Sequence, residues 1–205
     1  MQTRRTFTAF FSYAHHDADT DPQLVEAFTV VLEKRVNAKI VNARFTIWRD
    51  EEGLRTGDKW EHKLEEVVSS SDILVVLLTP RWIDSDFCRK EYLVFEEVEA
   101  ARNVGEYIVP ILARSIEKVE KYFTEDQTNV WARLSRRQYA KANAVEFLRL
   151  GEPGRTALID DIAEDIEGMK SDSWKNAKMT SAEYLDAAIE LFFRNIEWDV
   201  THRRV

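Results

Sequence analysis

The chain has one cysteine, Cys88, among its 205 residues. A lone cysteine permits no intrachain disulfide and no thiolate cluster around zinc, so neither can staple the fold. It suits a reducing, cytoplasmic compartment. Long apolar stretches are missing as well. The longest fully apolar run is Ile73–Leu78, far short of the roughly 20 residues that a membrane-spanning helix needs. The brief Phe/Ala stretch after Arg4-Arg5 is broken by Ser12, Tyr13 and two histidines, unlike the apolar core of a secretory leader. Positive charge is in deficit, with 29 Lys+Arg against 37 Asp+Glu and a net charge of −8. Gripping nucleic-acid phosphates takes a concentrated basic face, so no direct nucleic-acid or membrane partner is expected. Internal repeats and low-complexity segments are absent too. What is present is a hydrophobic fraction of 44%, enough to bury a core for one domain with or without an appendage.

Short apolar runs alternate with longer segments of helical period. Thr6–Tyr13, Ala43–Trp48, Asp72–Thr79, Tyr107–Leu112 and Ala144–Leu148 read as strands. The third is almost wholly β-branched or leucine, the mark of a central strand covered on both faces. Asp21-Pro22 pairs an N-cap with proline at a first helical position, ahead of the stripe Leu24, Val25, Phe28, Val31, Leu32 and Val36. Further helices are expected after Asp58, over Asp86–Arg102, over Arg155–Met169 and over Ser181–Trp198, with a polar break at Ser171–Lys178. Five strands alternating with helices imply an α/β fold, a five-stranded parallel sheet of flavodoxin-like, doubly wound type with helices on both faces. Ligands in such sheets bind outside the carboxyl ends of the strands. The segments to search are therefore 14–21, 50–57, 80–86 and 113 onward, all expected as loops.

Three blocks in those places carry a family resemblance. The first strand ends Phe7–Tyr13 (FTAFFSY), an apolar strand closed by Ser-Tyr. Next comes Trp48-Arg49-Asp50, then Leu54-Arg55-Thr56-Gly57 and Trp60. The third block is Asp72–Pro80 followed by Phe87-Cys88-Arg89-Lys90-Glu91-Tyr92. In this order and spacing the chain resembles a TIR (Toll/interleukin-1 receptor) domain of prokaryotic type over about residues 6–102, with further α/β units continuing the core. On that resemblance residues 5–170 form the TIR domain, and 171–205 form a helical extension or a linker to a further module. The chain departs from the family pattern at Phe87, where tryptophan is common, at Thr56-Gly57 in place of Pro-Gly, and at Ala14-His15-His16, where some enzymatic members carry arginines.

Glu91 is the residue of greatest chemical interest. Phe87, Val94 and Val98 lie at i−4, i+3 and i+7 from it, so a carboxylate interrupts an apolar stripe. Charged residues are mostly exposed, and a rim glutamate facing water is the plain alternative. The resemblance points the other way: in enzymatic TIR domains the glutamate of this motif breaks the nicotinamide–ribose bond of NAD⁺. One carboxylate suffices for that chemistry. Nicotinamide departs from NAD⁺ as a neutral base without protonation, and only the oxocarbenium-like ribose needs stabilising.

By similarity the loop 50–57 borders the substrate and takes part in self-association, with Asp50 and Arg55 as its contact residues. Arg49, Arg55 and Arg81 are the cations available to hold a pyrophosphate. Phe10 or Tyr13, near the carboxyl end of the first strand, could line a pocket. Trp82, just past Pro80, suits a pocket wall or a loop anchor equally, and Phe87 precedes Glu91 by one turn. His15 and His16 are adjacent and diverge, so no metal site is expected there; a solvated loop remains, or a phosphate contact at the following helix N-terminus, with His15 as a candidate substrate contact. Cys88 reads as small core packing, since no base is placed to activate it.

The resemblance thus implies an NAD⁺ glycohydrolase, yielding nicotinamide and ADP-ribose or a cyclic isomer. NAD⁺ would be its substrate, with no cofactor. Activity would be switched on by self-assembly into an oligomer or filament, and by a sensor domain or protein. The alternative is a non-enzymatic TIR module that signals through like-with-like contacts. A receiver-type domain fails, because the third strand ends Leu78-Thr79-Pro80 with no phosphorylatable aspartate. A nucleoside deoxyribosyltransferase-like enzyme fits the 50–57 loop less well.

Overall fold

The structure, a computed structural model, describes residues 5–49, 66–102, 107–137 and 150–176. Four strands form one parallel sheet in the order β2-β1-β3-β4: β1 Arg5–Ser12, β2 Ala43–Trp48, β3 Ile73–Leu78 and β4 Ile108–Leu112. The fifth expected strand, 144–148, lies outside the described residues, as do the expected helices after Asp58 and over Ser181–Trp198. Every residue of β3 is buried, as its unbroken apolar run requires of a strand covered on both faces. β1 is the other inner strand. Its Phe7 and Phe10 sit in register with Phe45 and Trp48 of β2, with ring centroids 5.7 and 5.2 Å apart.

β2 is an edge strand, and side chains occupy its outer polar row. The Asn37 amide both accepts from Phe45 N (2.9 Å) and donates to Phe45 O (2.8 Å), while Glu33 accepts from Ile47 N (2.8 Å). Covering an edge in this way blocks pairing with a foreign strand.

The helix opened by Pro22 runs through Pro22–Glu26, a π-turn at Ala27–Val31, and Leu32–Lys39. Proline takes the first-turn position as expected, but the Asp21 side chain makes no cap. It pairs instead with Arg114, just past β4. Three expectations need correcting. Segment 14–21 is not open loop, because His15–Thr20 is a helical turn. Segment 80–86 is mostly the helix Pro80–Asp84. Thr79 caps it, its hydroxyl accepting from Trp82 N at 3.0 Å, so the proline that ends β3 also starts a helix.

Nor does the polar stretch after Ser171 break the last described helix at once. That helix spans Glu152–Asn176, since polar residues without proline carry little helix penalty. It crosses residue 170 unbroken. Ile159, Ile162, Ala163 and Ile166 pack into the core, and Lys39 reaches Glu164 at 2.7 Å. Helix Asp86–Arg102 has the expected bounds. No described helix is long and apolar enough to cross a membrane.

Candidate active site

The strand order reverses direction at β1, since β2 lies on one side of it and β3 on the other. The crevice beyond the carboxyl ends of β1 and β3 is where a doubly wound sheet leaves room for a ligand. Ser12 closes β1 there, and Thr79 follows the end of β3. Glu91 reaches the same place from the second turn of the helix Asp86–Arg102, and Ser12 Oγ donates to Glu91 Oε2. Glu91 is only 8% exposed. The rim position is thereby set aside.

Behind the carboxylate runs a chain of buried polar contacts. Trp82 Nε1 donates to Ser12 Oγ (2.8 Å), and Thr79 Oγ1 donates to Asp17 Oδ2 (2.6 Å) while accepting from Trp82 N. Asp17 is 3% exposed. In the sequence it sat in a solvated-looking stretch, and nothing in that stretch distinguishes it from Asp19. Only the helical turn 15–20 carries it inward. Ser12 was visible merely as the penultimate letter of the strand motif.

The sequence candidates separate into three groups. Glu91, Tyr13 and His15 gather around the end of β1, and Phe87 lies on the same helix as Glu91. The Cys88 thiol contacts Tyr13 O at 3.6 Å, and the exposed His15 ring stacks on Tyr13 with centroids 5.3 Å apart. Phe87 is 50% exposed one turn before Glu91. Phe10 and Trp82 form the second group. Both are sealed in the core, Phe10 stacked on Trp48 and Trp82 edge-on to Tyr92 at 6.3 Å. The pocket-wall position for Trp82 and the lining position for Phe10 are therefore corrected: a ring with no open face offers a ligand nothing to stack on. Trp82 is the anchor of the two readings. Asp50 and Arg55 lie outside the described residues. Of the other cations suggested, Arg81 is exposed on the turn after β3, and Arg49 is partly buried just past β2.

Cys88 is buried beside this cluster. Burial, and after it the negative charge of Glu91, push its thiol well above the ordinary range; the hydroxyls of Ser85 and Ser12 oppose this without prevailing. A neutral, buried thiol is a poor nucleophile. Native protein should accordingly resist iodoacetamide at pH 8, whereas urea-unfolded protein is labelled, and Cys88→Ser should keep the fold. Rapid native labelling, followed by mass spectrometry, would count against this packing role.

Residues 10–149 match the TIR domain family, and they include Ser12, Thr79, Trp82 and Glu91. A parallel α/β sheet with a carboxylate at its switch point defines a class of fold and site, and within that class the chain belongs to the TIR domain family. Among solved structures it is similar to the TIR domains in a structure of the activated Roq1 resistosome directly recognizing the pathogen effector XopQ. Identity is 15%, 91% of this chain and 99% of that one are covered, and the TM-score is 0.40, too remote to carry function across. No curated protein matches the chain.

Proposed function

We propose that the chain is an NAD⁺ glycohydrolase that cleaves the nicotinamide–ribose bond and is switched on by self-assembly in bacterial defence against phage. The observation that carries this reading is the buried Glu91 carboxylate, aimed by Ser12 at the carboxyl ends of β1 and β3 in a TIR-family chain. The nicotinamide of NAD⁺ leaves as a neutral base, so the enzyme supplies no proton to it. Glu91 lies against the ribose and stabilises the positive charge that grows on it as the bond stretches, an effect strengthened where water is excluded. Water then takes the anomeric carbon to give ADP-ribose, or an adenine nitrogen takes it to give a cyclic isomer. Of the cations that the sequence suggests for the pyrophosphate, Arg49 and Arg81 lie among the described residues, against an overall charge of −8.

The half-exposed Phe87 also favours a second reading, a non-enzymatic module whose apolar ring meets another TIR copy or a sensor protein. Chromatography of nicotinamide released over a series of protein concentrations decides between them. Release should rise more steeply than in proportion to concentration. No release at the highest concentration, with crowding agent present, leaves the assembly module standing and the enzyme reading refuted.

A further inference from the structure

The polar contacts behind Glu91 have a direction fixed by chemistry. An indole N–H can only donate, so Trp82 Nε1 occupies a lone pair of Ser12 Oγ. The Ser12 hydroxyl has a single proton, and it is donated to Glu91 Oε2. Trp82 is itself pinned at two points, through its indole to Ser12 and through its backbone N–H to Thr79 Oγ1, which in turn donates to Asp17. Trp82, Thr79 and Ser12 are 0%, 0% and 1% exposed, so water does not compete for these bonds.

We infer that Trp82 and Ser12 are positioning residues for Glu91. The indole aims the serine proton, and that proton holds the buried carboxylate both ionised and oriented toward the crevice. The inference rests on the reading of Glu91 as the catalytic residue. Burial disfavours a charged carboxylate, while a hydrogen bond donated to the charged form favours it. An oxocarbenium-like ribose needs the charged form, which is the form the donated serine proton favours. Among the described residues, the other titratable groups packed here are engaged elsewhere. Asp17, from the turn 15–20, is held by Thr79; the Cys88 thiol, one turn back on the Glu91 helix, stays neutral; His15 lies exposed on the Tyr13 ring.

The test measures nicotinamide release against pH for the full chain, its Ser12→Ala variant and its Trp82→Phe variant. Removing the serine donor should move the acid limb of the profile to higher pH by about one unit, a loss of about tenfold on that limb that shrinks as pH rises. Trp82→Phe leaves the hydroxyl in place but unaimed, and should show a smaller shift in the same direction. A profile for Ser12→Ala that superimposes on wild type overturns the inference. So does a loss uniform in pH that only tracks a fall in melting temperature, since that marks plain structural support. Carbon-13 NMR titration of the glutamate carboxyls, with Glu91→Gln identifying the resonance, supplies a readout independent of catalysis. If wild type releases no nicotinamide, the enzyme reading fails by itself. The relay is then judged by whether Glu91 ionises at higher pH in Ser12→Ala, and an unmoved titration overturns it.

Discussion

Glu91→Gln should leave a folded protein whose nicotinamide release has fallen by on the order of 10²–10³-fold, the usual effect of deleting one preorganised electrostatic group from an active site. The substitution is nearly isosteric, and the glutamine carbonyl can still accept the Ser12 proton. What disappears is the negative charge facing the ribose. Glu91→Ala should be as inactive but less stable, because it leaves the buried Ser12 hydroxyl without its acceptor, at about 1–3 kcal/mol. The pair therefore separates catalysis from folding: a common loss of activity with unequal melting temperatures. Release by Glu91→Gln within about threefold of wild type would relocate the chemistry to another residue while sparing the activity as such, well inside the range that a lost electrostatic contact exceeds.

Much of this site could be read from the sequence, and the legible parts share a physical cause. β3 announces itself because Ile73–Leu78 is apolar at every position, which only a strand covered on both faces requires. Glu91 stands out because its neighbours at i−4, i+3 and i+7 are apolar, and helical period alone brings those positions to one face. Helix Asp86–Arg102 was bounded correctly for the same reason.

The illegible parts depend on contacts between residues far apart in the chain. Trp82 and Ser12 are 70 positions apart, Thr79 and Asp17 62, and neither pairing has a local signature. Hence Asp17 read as a solvated loop residue, and Trp82 could be assigned to a pocket wall as readily as to an anchor. The turns His15–Thr20 and Pro80–Asp84 are too short to be legible: five or six residues hold too little periodicity to distinguish a helical turn from a loop. Thr79 ahead of Pro80 does carry a local signature, a capping hydroxyl followed by proline at a first helical position.

Arg137→Ala should destabilise the fold by about 3–5 kcal/mol, the range found when one partner of a buried ion pair is removed. Arg137 reaches Glu99 at 2.7 Å and Glu96 at 3.5 Å from behind the Glu91 helix, and its guanidinium lies 5.9 Å from the centre of the Tyr92 ring. Glu99 also accepts from Tyr107 N at 2.5 Å, which ties the far end of that helix to the start of β4. Burial works against the Arg137 charge, but the hydrogen bond and field of Glu99 outweigh it and hold the guanidinium firmly protonated. Without it, Glu99 keeps, among the described residues, only a backbone donor for a carboxylate that is 8% exposed. At about 2–4 °C per kcal/mol for a chain of this size, the melting temperature should fall by roughly 10 °C. Arg137→Lys should recover only part of that, since a point charge cannot span two carboxylates and an aromatic face. The same cluster gives an alkaline signature. Burial and the hydrogen bond to Glu96 push the Tyr92 hydroxyl above its ordinary range, so its contribution is complete below about pH 10 and is lost as pH rises further, when the unfolded tyrosine ionises first. Urea denaturation of wild type and Arg137→Ala, run at pH 7.5, reads the first effect directly, and a loss under about 1 kcal/mol would show that solvent already reaches this pair.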